Sequence, residues 1–172
     1  MNSHQPLTGR PSQTSQPLAG LRVVEFTHMV MGPTCGMVLA DMGAEVIKVE
    51  PIDGDRTRRL LGAGTGFFPM FNRNKKSIAV DLRLPAGAAV ARKLAASADV
   101  VAENFKPGTM EKWGLGPDRL LAENPGLIIA RMSGYGQTGP YSNRAGFGGI
   151  GEAMGGNYHA ELECFVDLGP DQ

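Results

Sequence analysis

LRVVEFTHMVMGPTCGMVLADMGAEVIKVEP, residues 21–51, changes its period twice, and those changes decide the fold. LRVVEFT (21–27) is a short apolar run that predicts a strand buried on both faces. Gly32-Pro33 then opens TCGMVLADMG, in which Met37, Val38, Leu39 and Met42 suit one face of a helix ending at Gly43. AEVIKVE (44–50) predicts a second strand, stopped by Pro51.

The pattern repeats further along. SIAVDL (77–82) predicts a third strand, bounded by the basic run NRNKK. PAGAAVARKLAASA (85–98) is the clearest helix, with Pro85 early and alanines through its body. VVAENF (100–105) and LIIARMSG (127–134) predict the fourth and fifth strands, and GTMEKWG and GPDRLLAENP short helices between them. PIDGDRTRRLLGAGTG reads as a loop with a helical turn around Arg58 to Leu61. Apolar strands alternating with helices predict an α/β fold: a Rossmann-like parallel sheet with flanking helices. Sites in such sheets lie where strands end, here Thr27-His28, Glu50-Pro51, Asn104-Phe105 and Gly134-Tyr135.

Bulk composition narrows the function classes. The chain has 172 residues, 42% of them hydrophobic, enough for one domain with a core. Lys plus Arg and Asp plus Glu stand at 17 each, so no bulk charge draws the chain to nucleic acid or an anionic membrane. Cys35 and Cys164 are far apart and in no metal-like spacing, which predicts a reducing, cytoplasmic setting. No apolar run approaches the ~18 residues of a membrane span. Residues 1–18, rich in Ser, Gln, Pro and Gly, predict a flexible arm without a secretory signal.

Four stretches carry candidate chemistry. In FTHMVMGP (26–33), His28 follows a buried strand and precedes a helix whose N-terminus suits a phosphate or acyl oxygen; the plainer reading is a packing histidine. FNRNKKS (71–77) is a compact cationic loop suited to phosphates, or a solvated turn. ENFKPGTMEKWG (103–114) offers Asn104 as donor and acceptor and Phe105 as a stacking face, or is a strand-end turn. SGYGQTGPY (133–141) is a glycine-rich loop whose backbone can approach a ligand beside Tyr135. No GxGxxG joins a strand to a helix, so a nicotinamide-dinucleotide fingerprint is absent.

Taken in order, GLRVVEFTHMVMGP, DMGAEVIKVEP, MFNRNKKSIAVDL, VVAENFKPGTMEKWG, SGYGQTGPYSNRAGF and GEAMGG resemble the class III CoA-transferases, over residues 19–156. That family includes formyl-CoA transferase, carnitine-type CoA-transferases and acyl-CoA racemases. The resemblance implies transfer of CoA from an acyl-CoA, such as succinyl-CoA, to a free carboxylic acid. An aspartate nucleophile would carry the reaction. It implies CoA as substrate, no permanently bound cofactor, no metal, and an interlocked homodimer of large and small domains.

Carried over by position, the resemblance sets His28, Met29, Val30 and Met31 near the thioester and pantetheine. It sets Asn72, Arg73, Asn74 and Lys75 near the nucleotide phosphates. Asn104, Phe105 and Lys112 come from the third block, and Ser133, Gly134, Tyr135 and Gly136 from the glycine loop. Val30 replaces a glutamine of formyl-CoA transferase and Pro51 an arginine, which disfavours formyl or oxalate specificity and removes one nucleotide contact. Gly146-Phe147-Gly148 replaces the Gly-His-Asp of the racemases, so racemization is disfavoured.

The tail, residues 157–172, departs from the family pattern. His159, Glu161, Glu163 and Cys164 cluster there, in no spacing resembling HExxH or a paired CxxC. Asp167 and Asp171 lack the context of the family nucleophile, so no residue of this chain is expected to be that aspartate. The expectation is a truncated large domain, with an inactive CoA-binding fragment as the alternative to a working transferase. Uncovered sheet edges and faces would make it poorly soluble.

Overall fold

The computed structural model describes residues 16–144, 146–148, 150, 154 and 155. Most of the expected arm and the whole divergent tail, with its His159–Cys164 cluster, lie outside the described residues. Five strands form one sheet: β1 (Arg22–Phe26), β2 (Glu45–Glu50), β3 (Lys75–Ala79), β4 (Val100–Glu103) and β5 (Ile128–Arg131). Their order is β3-β2-β1-β4-β5 and every pairing is parallel. The helices are α1 (Met31–Asp41), α2 (Phe67–Phe71), α3 (Pro85–Ala96), α4 (Thr109–Lys112) and α5 (Pro117–Glu123). Two 3-10 turns, Arg56–Arg59 and Gly62–Gly66, lead into α2. Among the described residues no helix is long and apolar enough to cross a membrane.

The two faces of the sheet differ in chemistry. On one, Val24, Phe26, Val49 and Val101 pack under α3, whose Ala88, Ala91 and Ala95 form a buried stripe spaced three and four residues apart. Met110, Leu115, Leu120 and Leu127 close that core. On the other face, β1 and β2 present Val23 and Val46 alternating with Glu25 and Lys48, and α1 covers them.

Two expectations shift, and one helix is new. β3 begins at Lys75, two residues before the expected SIAVDL, because the lysines of the basic run join the ladder through the pairs Val46–Lys75 and Ile47–Lys76. The buried face of α1 is Gly32, Pro33, Gly36 and Ala40, whereas Val38 and Met42 are exposed. Small residues win there because α1 lies directly on the charged strip: a Cβ on Gly36 would collide with the Glu25 carboxylate. The helix α2 lies just past the loop stretch PIDGDRTRRLLGAGTG, where the sequence reading assigns no element. Its Pro69 sits in the first turn, where the missing N–H breaks no helical bond.

Candidate functional site

Chain connections run outward from β1 in opposite directions, to β2 and β3 on one side and to β4 and β5 on the other. A crevice opens at such a reversal, beyond the C-terminal ends of the two central strands. Here those ends are Phe26 and Glu103, which are register partners. The residues that follow, Thr27-His28 and Asn104-Phe105, therefore meet at the switch point.

Asn104 clamps the first loop. Its Oδ1 accepts from the His28 backbone N–H (2.8 Å) and its Nδ2 donates to the His28 carbonyl (2.9 Å). Both main-chain groups of one residue are thus satisfied by a single side chain 76 positions away. Gly32 makes the clamp possible, because a Cβ there would stand 2.7 Å from Asn104 Cγ. Met29 turns the chain with φ of 63°, Val30 caps α1, and Met31 opens the helix with its side chain exposed.

The His28 ring packs on Phe105 at 5.2 Å between centroids, and Phe105 meets Trp113 edge-on at 5.3 Å. Burial pushes the imidazole below its ordinary 6.5; the Asp55 carboxylate opposes that, and the cations Lys48 and Arg56 add to it. The ring is therefore neutral at pH 7, able to donate from one nitrogen and accept at the other.

The glycine loop lies at the same sheet edge, after β5. Ser133 Oγ donates to the Gly136 carbonyl (2.9 Å), and Gln137 Nε2 donates to Ser133 Oγ (3.2 Å). Gly134 lies against Gly146, where an added Cβ would come within 2.6 Å of the Gly146 Cα. Tyr135 packs edge-on with Tyr141 at 5.8 Å. Lys112 is exposed at the end of α4 and makes no ion pair among the described residues.

The basic loop stands elsewhere. Lys75 is level with Val46 at the start of β2, so Asn72–Lys75 occupy the opposite edge of the sheet from His28. Arg73 and Asn74 both bind the Asp41 carboxylate at the end of α1. Lys75 points inward: its Nζ donates to both oxygens of Glu25 (2.9 and 3.1 Å), to the Pro33 carbonyl (2.7 Å) and to the Asn72 Oδ1 (3.2 Å). Its ammonium is thus fully occupied within the protein, and Asn72 is buried beside it. The structure brings together His28, Asn104 and Phe105, and keeps Asn72–Lys75 apart from them.

Sequence reading missed the buried charges behind the crevice. Lys48 Nζ donates to the Thr27 carbonyl (2.7 Å), lies 3.0 Å from Asp55 Oδ2, and stands 3.6 Å from Glu25 Oε1. Lys48 and Glu25 are 1% and 0% exposed, so the loop carrying His28 is tied to a buried ion cluster. Asp55 Oδ1 accepts from the Thr57 N–H (2.9 Å) and Oγ1 (2.8 Å), and the Asp55 N–H donates to Glu50 Oε2 (2.8 Å). The available signal was a charge at the centre of each of two apolar strands, RVVEF and EVIKVE.

Arg58 is engaged with Glu50 through two hydrogen bonds (2.8 and 2.7 Å) and lies over the Phe68 ring at 3.7 Å. Arg59 donates to the Asp53 carbonyl. Burial raises the Glu50 carboxyl, but bonds from Arg58, Ser77 and the Asp55 N–H outweigh it and hold it down to about 2.

Known proteins resemble this chain in sequence and in fold. The pattern of CoA-transferase family III matches residues 18–163. The succinyl-CoA–D-citramalate CoA-transferase of Chloroflexus aurantiacus is 55% identical over 147 residues, covering 82% of this chain and 36% of that protein. The succinyl-CoA:glutarate CoA-transferase of Mus musculus is 43% identical, covering 88% of this chain and 37% of that protein. The crystal structure of the Mycobacterium tuberculosis protein Rv3272 superposes with a TM-score of 0.78 at 48% identity, covering 83% of this chain and 40% of that one. The chain thus spans little more than a third of the length of the curated relatives it matches. The family pattern covers most of the chain and the fold superposes on that of Rv3272, so the chain belongs to CoA-transferase family III.

Proposed function

We propose that the chain binds a CoA thioester at the C-terminal edge of its sheet. It serves the transfer of CoA from a succinyl-CoA-like donor to a free carboxylic acid. The observation that carries this reading is the Asn104 clamp on His28 at the switch point, in a member of family III. The loop His28–Met31 receives the thioester end. Phe105 gives it an apolar wall, and Ser133–Gly136 supply backbone donors. The neutral His28 ring can hydrogen-bond the thioester oxygen without carrying charge. The phosphate contacts expected of Asn72–Lys75 narrow to Arg73 and Asn74, with Lys112 as a second cation.

The names of the two relatives support a succinyl donor and a dicarboxylic acceptor. The carboxylate nucleophile that the chemistry needs is assigned to none of the described residues. A second reading is a CoA-binding unit without turnover of its own, in keeping with the lack of an assigned nucleophile among the described residues. Homodimerization and a reducing, cytoplasmic setting belong to the same proposal.

Calorimetry with free CoA, paired with succinyl-CoA and a panel of carboxylic acids followed by mass spectrometry, tests the two readings. Binding with new acyl-CoA products supports the transferase. Binding without products supports the second reading, and the absence of CoA binding overturns both.

A further inference from the structure

Three arginines follow β2, and two of them are occupied. Arg58 is paired with Glu50, and Arg59 with the Asp53 carbonyl. Arg56 is exposed and makes no ion pair or hydrogen bond among the described residues. Both of its neighbours are pinned: Asp55 and Thr57 are buried and bonded to each other, and Asp55 is further held by Glu50 and Lys48. A long flexible cation thus springs from a rigid base, so its root is placed before any ligand arrives.

That base is fixed relative to His28. A single ammonium, Lys48 Nζ, joins the Thr27 carbonyl to the Asp55 carboxylate. Thr27 precedes His28 and Asp55 precedes Arg56, so the two residues leave the same buried ion at the same sheet edge. The positive field of Arg56 reaches the His28 ring. The buried anions nearby are already matched, Asp55 by Lys48, Glu50 by Arg58 and Glu25 by Lys75. At the turn after β2, the cation left without a partner among the described residues is therefore Arg56.

We propose that Arg56 is a specificity-determining residue that receives the second, non-reacting carboxylate of a dicarboxylic acyl group whose thioester end lies at His28. This rests on the CoA-thioester reading above and adds the substrate class. A guanidinium binds a carboxylate through paired N–H donors, and such charge-assisted contacts are stronger than neutral ones. The acyl group of a monocarboxylic acid has nothing to offer it.

The test uses the chain's own fluorophore. Trp113 is its one tryptophan and touches Phe105, which touches His28, so ligand entry at the crevice should alter its emission. Succinyl-CoA, butyryl-CoA of the same carbon count, and free CoA are titrated into the full chain and into Arg56→Gln and Arg56→Lys. The expected result is about tenfold tighter binding of succinyl-CoA than butyryl-CoA, equivalent to about 1.4 kcal/mol. Arg56→Gln should abolish that preference and Arg56→Lys should retain part of it. A preference that survives Arg56→Gln, or that wild type lacks, overturns the inference and leaves the CoA reading standing. Equal weakening of all three ligands by Arg56→Gln assigns the residue to a phosphate of CoA and also overturns it. Binding of no CoA compound overturns both readings together.

Discussion

Asn104 does two jobs with one amide, and the cost of losing it follows from that. Asn104→Ala would leave the N–H and the carbonyl of His28 without their partners in a half-buried loop. The expected destabilization is about 2 kcal/mol, read as a lower denaturant midpoint with an unchanged slope. CoA affinity should fall along with it, because the loop that receives the thioester loses its anchor. Glu50 gives a second prediction at this scale. Its carboxyl sits at about 2 in the folded chain against an ordinary 4.5. Stability from this group is complete above pH 4.5 and is lost as the pH falls toward 2. The full loss is on the order of 2 kcal/mol, since the 40% exposure of Arg58 lets solvent screen part of the pair. Denaturation of Glu50→Gln against wild type across that range should show the two curves converging at low pH.

At the scale of elements, Lys48 holds β2, the end of β1 and the turn after β2 in one contact set. Lys48→Met removes the cation and leaves Glu25 and Asp55 buried with one positive partner fewer. A loss of about 3–5 kcal/mol is expected in equilibrium unfolding, with Glu25 still served by Lys75. This cluster also marks what the sequence could and could not reveal. Runs such as VVAE and RVVEF announced their strands, because few alternatives suit a stretch buried on both faces. The loops at the strand ends were legible for the same reason. Which charges would meet was not legible, since Glu25 finds Lys75 across 50 positions through a register no local pattern specifies. The inward turn of Lys75 and the small-residue face of α1 follow from that pairing, so the sequence reading went astray at both together.

At the scale of the whole molecule, the sheet has two free edges among the described residues. There β3 is bonded only to β2, and β5 only to β4. Ile128, at the start of β5, is 64% exposed, and Met70 and Leu61 stand open on the far side. Unpaired ladder groups beside apolar side chains favour association with another chain. Light scattering coupled to size exclusion should find species heavier than the 18.2 kDa monomer at micromolar concentration. A monodisperse monomer that melts cooperatively would count against this reading of the edges.

The seat of α1 also shapes how this sequence can drift. Gly36 is bare because the Glu25 carboxylate occupies the space its side chain would need. Neither position can therefore change on its own account. A methyl at 36 becomes tolerable only after the acid at 25 has been shortened, and the shortened acid then releases Lys75 from its main partner. A reversion screen begun from Gly36→Ala should recover second-site changes at 25 and 75 before any other pair, because those three residues are inherited as one.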